Sequence, residues 1–104
     1  FFMKIRDYQP SDYPQLAAVL NQAGLFDEAY DTKQKLDSKT PSGSIIVAED
    51  KGKIVGVIFF TWDNWDSSIY RLAVEPENRK QGIGTLLLEE AERRLREHAP
   101  TFQA

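Results

Sequence analysis

Residues 69–100 read IYRLAVEPENRKQGIGTLLLEEAERRLREHAP, and they give the clearest indication of how the chain folds. Its first part, Ile69 to Val74, is apolar and predicts a β-strand. A polar loop with a proline follows, and a Gly-Ile-Gly turn then leads into a long amphipathic helix that is expected to stop at Pro100. The stretch therefore predicts a loop that opens directly into a glycine-containing helix start.

Such a helix start suits an anion. The first N–H groups of a helix have no acceptor inside the helix, and the macrodipole adds roughly half a positive charge there. We expect that the absence of side chains at Gly82 and Gly84 lets a phosphate approach these N–H groups, while Arg79 and Lys80 add positive charge. The pattern predicts a phosphate-binding site, and the alternative is a helix start that binds nothing.

Two other phosphate-binding motifs are excluded by spacing. A Walker loop requires a lysine directly after its last glycine, whereas Thr85 follows Gly84 here. A Rossmann fingerprint requires a third glycine and a turn that begins at the strand end, but the chain has a long loop after Val74 and a leucine at position 87.

The hexapeptide Arg79-Lys80-Gln81-Gly82-Ile83-Gly84 resembles the Arg/Gln-x-x-Gly-x-Gly/Ala signature of the GNAT superfamily of acetyl-CoA-dependent N-acetyltransferases. The segments 72–76 (LAVEP) and 85–88 (TLLL) resemble the strand end and the helix start that flank this signature. The resemblance implies an α/β (α+β) fold in a single domain over residues 1–104. Its sheet would be mixed and mostly antiparallel, flanked by helices in the order β-α-α-β-β-β-α, without the usual last strands.

The resemblance also implies a cofactor site for acetyl-CoA, with no metal. The backbone of three strand residues would hold the pantetheine arm, and six residues would wrap the pyrophosphate with Arg79 at the rim. In chain order, the first set is Leu72, Ala73 and Val74, and the second is Lys80, Gln81, Gly82, Ile83, Gly84 and Thr85. A neutral amine would attack the thioester directly, and a backbone N–H at Val74 or its neighbour would stabilise the oxyanion.

The chain departs from the family pattern in its catalytic residues. Members usually continue with a fifth strand and with a helix that carries a tyrosine acid, whereas this sequence ends at Ala104. Several members have a glutamate base where this chain has Ser68, and Glu75 and Tyr70 are the nearest alternatives. Without a fifth strand, the apolar strand 68–74 would be an exposed sheet edge. We therefore expect a homodimer, or a partner chain that covers this edge.

Composition limits the functional classes. The chain has 104 residues, 41% hydrophobic and 28% charged, as expected for one globular domain. It has no cysteine and one histidine, which excludes disulfides, a cysteine nucleophile and a histidine-based metal cluster. A net charge of −3 argues against nucleic acid and favours a positively charged substrate. No membrane span or signal peptide is visible, which predicts a cytoplasmic protein.

The remaining chain predicts two helices and three strands. We expect strands at 3–8, 45–49 and 54–62, a helix capped by Ser11 that stops at Gly24, and a second helix within 26–40. Residues 50–52 predict a hairpin turn, and strand 54–62 should be central, with Gly56 marking a bulge or a close neighbour. The carboxylates of Asp27, Glu28 and Asp31 are expected to face water; the alternative is that they attract an amine.

Two further expectations concern side chains near the ends of these elements. Trp62 and Trp65 are expected to be packing residues, with a role in lining an acceptor pocket as the alternative. On the last helix, a stripe that includes Ile83, Leu86 and Leu87 should face the core, and three Glu–Arg pairs at i,i+4 should lie on the solvated face. These pairs are Glu89 with Arg93, Glu90 with Arg94, and Glu92 with Arg96.

Three functions remain compatible with these observations. The first is an acetyl-CoA-dependent N-acetyltransferase that acts on a primary amine of a small molecule or a peptide. The second is a non-catalytic module or subunit that binds CoA or acyl-CoA. The third is a structural domain whose glycines only shape a turn.

Overall fold

The elements of the chain follow the predicted order. A computed structural model describes residues 3–29, 31–38, 44–62, 67–75 and 82–98, and it describes only the backbone of residues 61, 62, 67–70 and 98. The strands are β1 (Met3–Asp7), β2 (Ile45–Asp50), β3 (Lys53–Trp62) and β4 (Ser67–Val74), and the helices are α1 (Tyr13–Gln22), α2 (Lys33–Asp37) and α3 (Ile83–His98).

The four strands form one antiparallel sheet in the order β1-β2-β3-β4. The predicted turn between β2 and β3 is present, and both of its central residues have positive φ, 54° at Lys51 and 81° at Gly52. This combination matches the twist of the flanking strands, so a two-residue turn suffices. The fold class predicted from the sequence is confirmed, with a wholly antiparallel sheet among the described strands.

Helices cover both faces of the sheet. On one face, α1 and α2 pack on a core cluster, and on the other face α3 packs on a second cluster. The first cluster comprises Tyr8, Leu16, Val19, Leu20, Leu36, Ile45, Val47, Ile54, Val57, Phe59 and Ala73. The second comprises Ile46, Ala48, Val55, Ile58, Phe60, Ile83, Leu87 and Ala91. Because β3 supplies residues to both clusters, its near-continuous apolar run is explained by burial on both faces, as predicted.

Two bulges interrupt the pairing of β3. Ala48 pairs with Gly56 and Glu49 with Ile54, so Val55 is an extra residue on β3. Gly56 therefore lies next to a bulge, and it also has the close neighbours that the sequence suggested.

The second bulge lies in β4. Phe59 pairs with Arg71 and Phe60 with Ile69, which leaves Tyr70 as the extra residue. A bulge bends and twists the strand that contains it, and such features often lie next to binding sites.

The starts of the first two helices differ from the predictions. A 3-10 turn (Pro10–Asp12) precedes α1, and Asp12 rather than Ser11 bonds the backbone there, accepting from the Gln9 N–H at 2.8 Å. Pro10 is the first residue of this turn. The second helix begins later and is shorter than the segment 26–40, because Asp27 accepts from the Ala29 N–H at 2.8 Å and so competes with helix formation. The side chain of Thr32 caps α2 by accepting from the Lys35 N–H at 3.3 Å.

The outer face of α3 is charged, with one change from the predicted pairs. Glu90 bonds Arg94 at 2.8 Å and Glu92 lies 3.8 Å from Arg96, as predicted. Arg93, however, pairs with Glu90 and Glu97 at 2.5 Å instead of Glu89. Leu86 is 39% exposed, so it does not belong to the buried stripe. None of the described helices is both long and apolar enough to cross a bilayer.

Candidate functional site

The start of α3 presents backbone donors that have no acceptor inside the helix. The first helical bond runs from the Leu86 N–H to the Gly82 carbonyl oxygen at 3.1 Å. The N–H groups of Ile83, Gly84 and Thr85 therefore have no acceptor within the helix. Gly82 and Thr85 are exposed and Gly84 is half-buried. The start of α3, where the sequence predicts an anion site, is therefore open to solvent at Gly82 and Thr85.

The two glycines of this turn have different roles. Gly82 has a φ of +75°, a conformation that favours glycine, and a Cβ built on it would meet nothing within 4 Å. It is thus an open position from which a ligand can approach the helix start. A Cβ at Gly84 would lie 3.6 Å from Leu72 Cδ2. The missing side chain of Gly84 thus faces β4, which differs from the expectation that it would lie in the path of the ligand.

The strand residues predicted to hold a pantetheine arm lie at the last strand of the described sheet. Leu72 and Val74 pack on the α3 side, and Ala73 is buried on the opposite face. The Glu75 N–H donates to the Val55 carbonyl at 2.9 Å and therefore points toward β3. Because successive peptide groups alternate in direction, the N–H groups of Leu72 and Val74 point toward the outer edge of β4.

The three catalytic candidates are described to different extents. Glu75 follows β4, is only 6% exposed, and its carboxylate lies 3.3 Å from Lys53 Nζ. This position makes Glu75 an ion-pair partner of the first residue of β3. Ser68 and Tyr70 lie in β4, and their side chains are outside the described part of the chain.

Several predicted residues fall outside the described ranges. Arg79, Lys80 and Gln81 belong to this group, as does Trp65. The side chain of Trp62 is also outside the described part of the chain.

A buried ion pair between Asp31 and Arg71 was not predicted. Asp31 is 0% exposed, and its two carboxylate oxygens accept from Arg71 Nη1 and Nη2 at 2.6 and 2.5 Å. Arg71 also donates to the Leu25 carbonyl at 3.0 Å, and its guanidinium lies 4.4 Å from the centroid of the Phe59 ring. The expectation that Asp31 faces water is therefore wrong. An arginine between Tyr70 and Leu72 in an apolar strand was the signal that a buried partner was required.

The electrostatics of this pair favour the charged form of Asp31. Burial alone raises the pKa of the carboxyl group, but hydrogen bonds from Arg71 and from the Asp27 backbone outweigh it, so the pKa is lowered. Because Arg71 neutralises this carboxylate, Asp31 does not offer a free negative charge to an amine. Within the described residues, no cluster of three or more His, Cys, Asp or Glu side chains could hold a metal ion.

Comparison with known proteins identifies relatives of the same fold. A protein of Photorhabdus laumondii named "Acetyltransferase plu1384" is 28% identical over 95 residues, which cover 89% of this chain and 66% of that protein. The chain thus spans just under two thirds of the length of this curated relative.

Two solved structures superpose well on the chain. PaiA N-acetyltransferase from Thermoplasma acidophilum, in complex with coenzyme A, has a TM-score of 0.80 at 23% identity, over 94% of this chain and 74% of that one. Diaminobutyrate acetyltransferase EctA from Paenibacillus lautus, in complex with L-2,4-diaminobutyric acid and coenzyme A, has a TM-score of 0.71 at 21% identity. The superposition covers 86% of this chain and 56% of that one. These matches show a shared fold.

A family pattern covers nearly the whole chain. The sequence model of the Acetyltransferase (GNAT) family matches residues 3–102, which include all seven described helices and strands. Together with the glycine turn before α3, this match shows that the chain belongs to the GNAT acetyltransferase family.

Proposed function

We propose that this chain binds acetyl-CoA and transfers its acetyl group to a primary amine of a small molecule or peptide. The observation that carries the proposal is the exposed start of α3, where Gly82 at φ +75° leads into helical N–H groups without helical acceptors. In this proposal the pyrophosphate binds at Gly82, Ile83, Gly84 and Thr85, with Arg79, Lys80 and Gln81 around it. Family membership and the coenzyme A in the PaiA and EctA structures support this assignment.

The pantetheine arm would then follow the outer edge of β4. The N–H groups of Leu72 and Val74 point toward that edge, whereas Ala73 fixes the strand by its buried side chain. An amide-containing arm can pair with such an edge as an added strand does. The thioester would be delivered near the bulge at Tyr70, where the regular pairing of β4 is interrupted.

The reaction would be a direct transfer. The amine nitrogen attacks the thioester carbonyl carbon, the C–S bond of the tetrahedral intermediate breaks, and CoA leaves as a thiolate that takes up a proton. A backbone N–H on the outer edge of β4 would stabilise the oxyanion. The N–H groups of Val74 and Leu72 both face that edge, and Leu72 is the better candidate because it lies nearer the bulge, where the thioester would be delivered. An alkylamine is mostly protonated near neutral pH, so a base must first accept its proton.

The proton-transfer residue is proposed among Glu75, Tyr70 and Ser68. Glu75 is the first candidate for the base because it is the one whose carboxylate is described. It is buried at the end of β4, several residues from the bulge, and would therefore reach the amine only through a chain of water molecules. If it is the base, Glu75→Gln lowers kcat/KM by a factor on the order of 100, and the loss becomes smaller at high pH, where more of the amine is already neutral. Activity that survives in Glu75→Gln would limit Glu75 to its ion pair with Lys53, and Tyr70→Phe and Ser68→Ala would then test the other two.

Calorimetry and a turnover assay test the proposal together. Binding of acetyl-CoA is measured first, and release of CoA thiol is then followed with spermidine, L-2,4-diaminobutyrate and a hexapeptide that begins with alanine. Binding with thiol release in the presence of an amine supports the transferase. Binding without release for any acceptor supports the non-catalytic alternative, in which the chain is a CoA-binding module or a subunit that needs a partner chain. Absence of binding contradicts both.

We also propose that a second copy or a partner chain covers part of the β4 edge. β4 is last in the order of the described sheet, and an edge strand leaves a row of backbone groups available for pairing. The bulge at Tyr70 divides this edge, so pantetheine would use residues 72–74 and a partner strand would use the part before the bulge. Light scattering of the protein at micromolar concentration tests the homodimer, and a monomeric mass contradicts it.

A further inference from the structure

The Asp31–Arg71 pair connects strand β4 to the segment that lies between α1 and α2. Arg71 reaches this segment at two points, the Leu25 carbonyl at 3.0 Å and the Asp31 carboxylate at 2.6 and 2.5 Å. Asp31 also accepts from the Asp27 N–H at 2.8 Å through its side chain and donates its own N–H to the Asp27 carbonyl at 2.8 Å. A single arginine thus holds both ends of this segment.

Asp31 also connects to α1. The hydroxyl of Tyr13 donates to the Asp31 carbonyl at 2.8 Å. The carboxylate and the backbone of Asp31 therefore join α1, the segment that follows it, and β4, whose Arg71 lies 40 residues further along the chain. Because the carboxylate is fully buried, replacement of Arg71 would leave the negative charge of Asp31 inside the protein without the guanidinium that neutralises it.

The position of Arg71 on β4 relates this pair to the proposed reaction. Arg71 directly follows the bulge residue Tyr70 and directly precedes Leu72. If pyrophosphate binds at Gly82 and the pantetheine arm follows Val74 to Leu72, the acyl group arrives at the level of Arg71, about 10 Å along the strand from Val74. The amine must come to the same point, and residues 25–29 are the segment that Arg71 and Asp31 hold against this part of β4.

We propose that Arg71 and Asp31 are positioning residues for the amine acceptor, which hold residues 25–29 as one wall of the acceptor site. The inference rests on the proposed acetyltransferase function and adds to it the residues that shape the acceptor side. Each charge of the pair satisfies the other, so the pair acts through geometry and does not attract the amine itself. Its loss is expected to change acceptor binding without changing acetyl-CoA binding.

The test uses Asp31→Asn and Arg71→Lys, with Asp12→Asn as a matched control. Asp12 is also buried, at 6% exposed, and also accepts two hydrogen bonds from one arginine, Arg6, at 2.8 and 2.9 Å. Arg6 belongs to β1, at the opposite edge of the sheet. Asp12→Asn therefore reproduces the loss of a buried bidentate pair whose own hydrogen bonds go to Arg6 and Gln9, and not to Arg71 or residues 25–29.

The readouts are the KM for the best acceptor among spermidine, L-2,4-diaminobutyrate and the alanine-terminated hexapeptide, together with kcat, the acetyl-CoA Kd and the melting temperature. We expect all three variants to melt at lower temperature and to bind acetyl-CoA like the parent. Asp31→Asn and Arg71→Lys should raise the acceptor KM about tenfold or more, whereas Asp12→Asn should leave it unchanged. Arg71→Lys keeps the positive charge, so it serves as the second variant if Asp31→Asn does not fold.

The outcomes separate this inference from the proposed function. An unchanged acceptor KM in a folded Asp31→Asn or Arg71→Lys variant would overturn the inference and leave the transferase intact. A rise of the acceptor KM in Asp12→Asn equal to that in Asp31→Asn would overturn it as well, because the effect would then be one of general stability. If the parent binds no acetyl-CoA, or acetylates none of the three acceptors, the transferase assignment fails and the inference fails with it.

Discussion

Gly56 of β3 and Ile83 of α3 are in such close contact that a Cβ on Gly56 would lie 3.1 Å from Ile83 Cγ2. The same Cβ would lie 3.1 Å from Leu87 Cδ1, one turn further along the helix. Ile83 is the first residue of α3 and belongs to the proposed pyrophosphate site. A glycine in the middle of the sheet therefore determines how closely the helix start can approach the strands.

Gly56→Ala is predicted to lower both stability and acetyl-CoA affinity. The added methyl group forces Ile83 and Leu87 to move by a few tenths of an ångström, and overpacking of this kind costs about 1–3 kcal/mol. The movement displaces the start of α3, where the cofactor is expected to bind. Thermal denaturation and calorimetry measure the two effects, and a variant as stable as the parent would show that the helix adjusts without cost.

Gly84→Ala is predicted to stabilise the protein and to keep acetyl-CoA binding. A methyl group there would make an ordinary contact with Leu72 Cδ2 at 3.6 Å, and alanine favours the helix over glycine by about 0.8–1 kcal/mol. The variant should melt at a higher temperature with an unchanged acetyl-CoA Kd. A large loss of affinity would mean that the side-chain position of Gly84 faces the ligand after all.

Gly82→Glu is predicted to abolish acetyl-CoA binding, with Gly24→Glu as its control. Both glycines have positive φ, +75° at Gly82 and +72° at Gly24, and a Cβ at either would meet nothing within 4 Å. Both variants should therefore lose a similar stability, about 1–2 kcal/mol for a left-handed conformation. Only the carboxylate that Gly82→Glu introduces would repel a diphosphate, and calorimetry should therefore show a loss of acetyl-CoA affinity in this variant and not in Gly24→Glu. Equal acetyl-CoA affinity in the two variants would place the binding site elsewhere.

Asp12→Asn is predicted to reduce the dependence of stability on pH in acid. Burial raises the pKa of Asp12, but hydrogen bonds from Arg6 and from the Gln9 N–H outweigh it, so the pKa of Asp12 is lowered. Near pH 4 the unfolded chain then binds more protons than the folded one, and the contribution of this carboxylate to the free energy of unfolding falls as the pH falls. That contribution is complete above the ordinary aspartate pKa of about 3.9 and is lost as the pH falls through the lower folded value.

Urea unfolding at several pH values between neutral and pH 3 measures this effect. The parent should be more stable than Asp12→Asn at pH 7, and the difference between the two should shrink as the pH is lowered. A difference that stays constant over this range would contradict the assigned pKa shift.

Local features of this fold were predictable from sequence. The turn at Lys51 and Gly52 was predictable because glycine readily adopts the positive φ that such a turn requires. The end of α1 was predictable for the same reason, since Gly24 has a positive φ. The start of α3 was also predictable, because Gly82 and the apolar spacing of Ile83 and Leu87 are local signals. The same signals predict an anion site at the first N–H groups of α3, which have no acceptor inside the helix.

Other features depended on contacts between distant residues. Asp31 was expected to face water near the start of a helix, and its burial became apparent only with Arg71, 40 residues later in the chain. The helix expected within 26–40 is shorter for a similar reason. The side chains of Asp27 and Asp31 accept hydrogen bonds from backbone N–H groups of this segment, and Asp31 also bonds Arg71 of β4, so the segment does not form one continuous helix. The direction in which a side chain at position 84 would point likewise became apparent only from the position of Leu72.

The order of the elements, the hairpin turn and the glycine-containing helix start were thus predictable from local signals, because each depends on backbone preferences and side-chain periodicity within a few residues. The pairing of Arg71 with Asp31 and the close contact between Gly56 and Ile83 became apparent only in the folded protein. Those relationships depend on which buried surfaces meet after folding, since a charge inside the protein needs a partner and two packed elements need matching shapes.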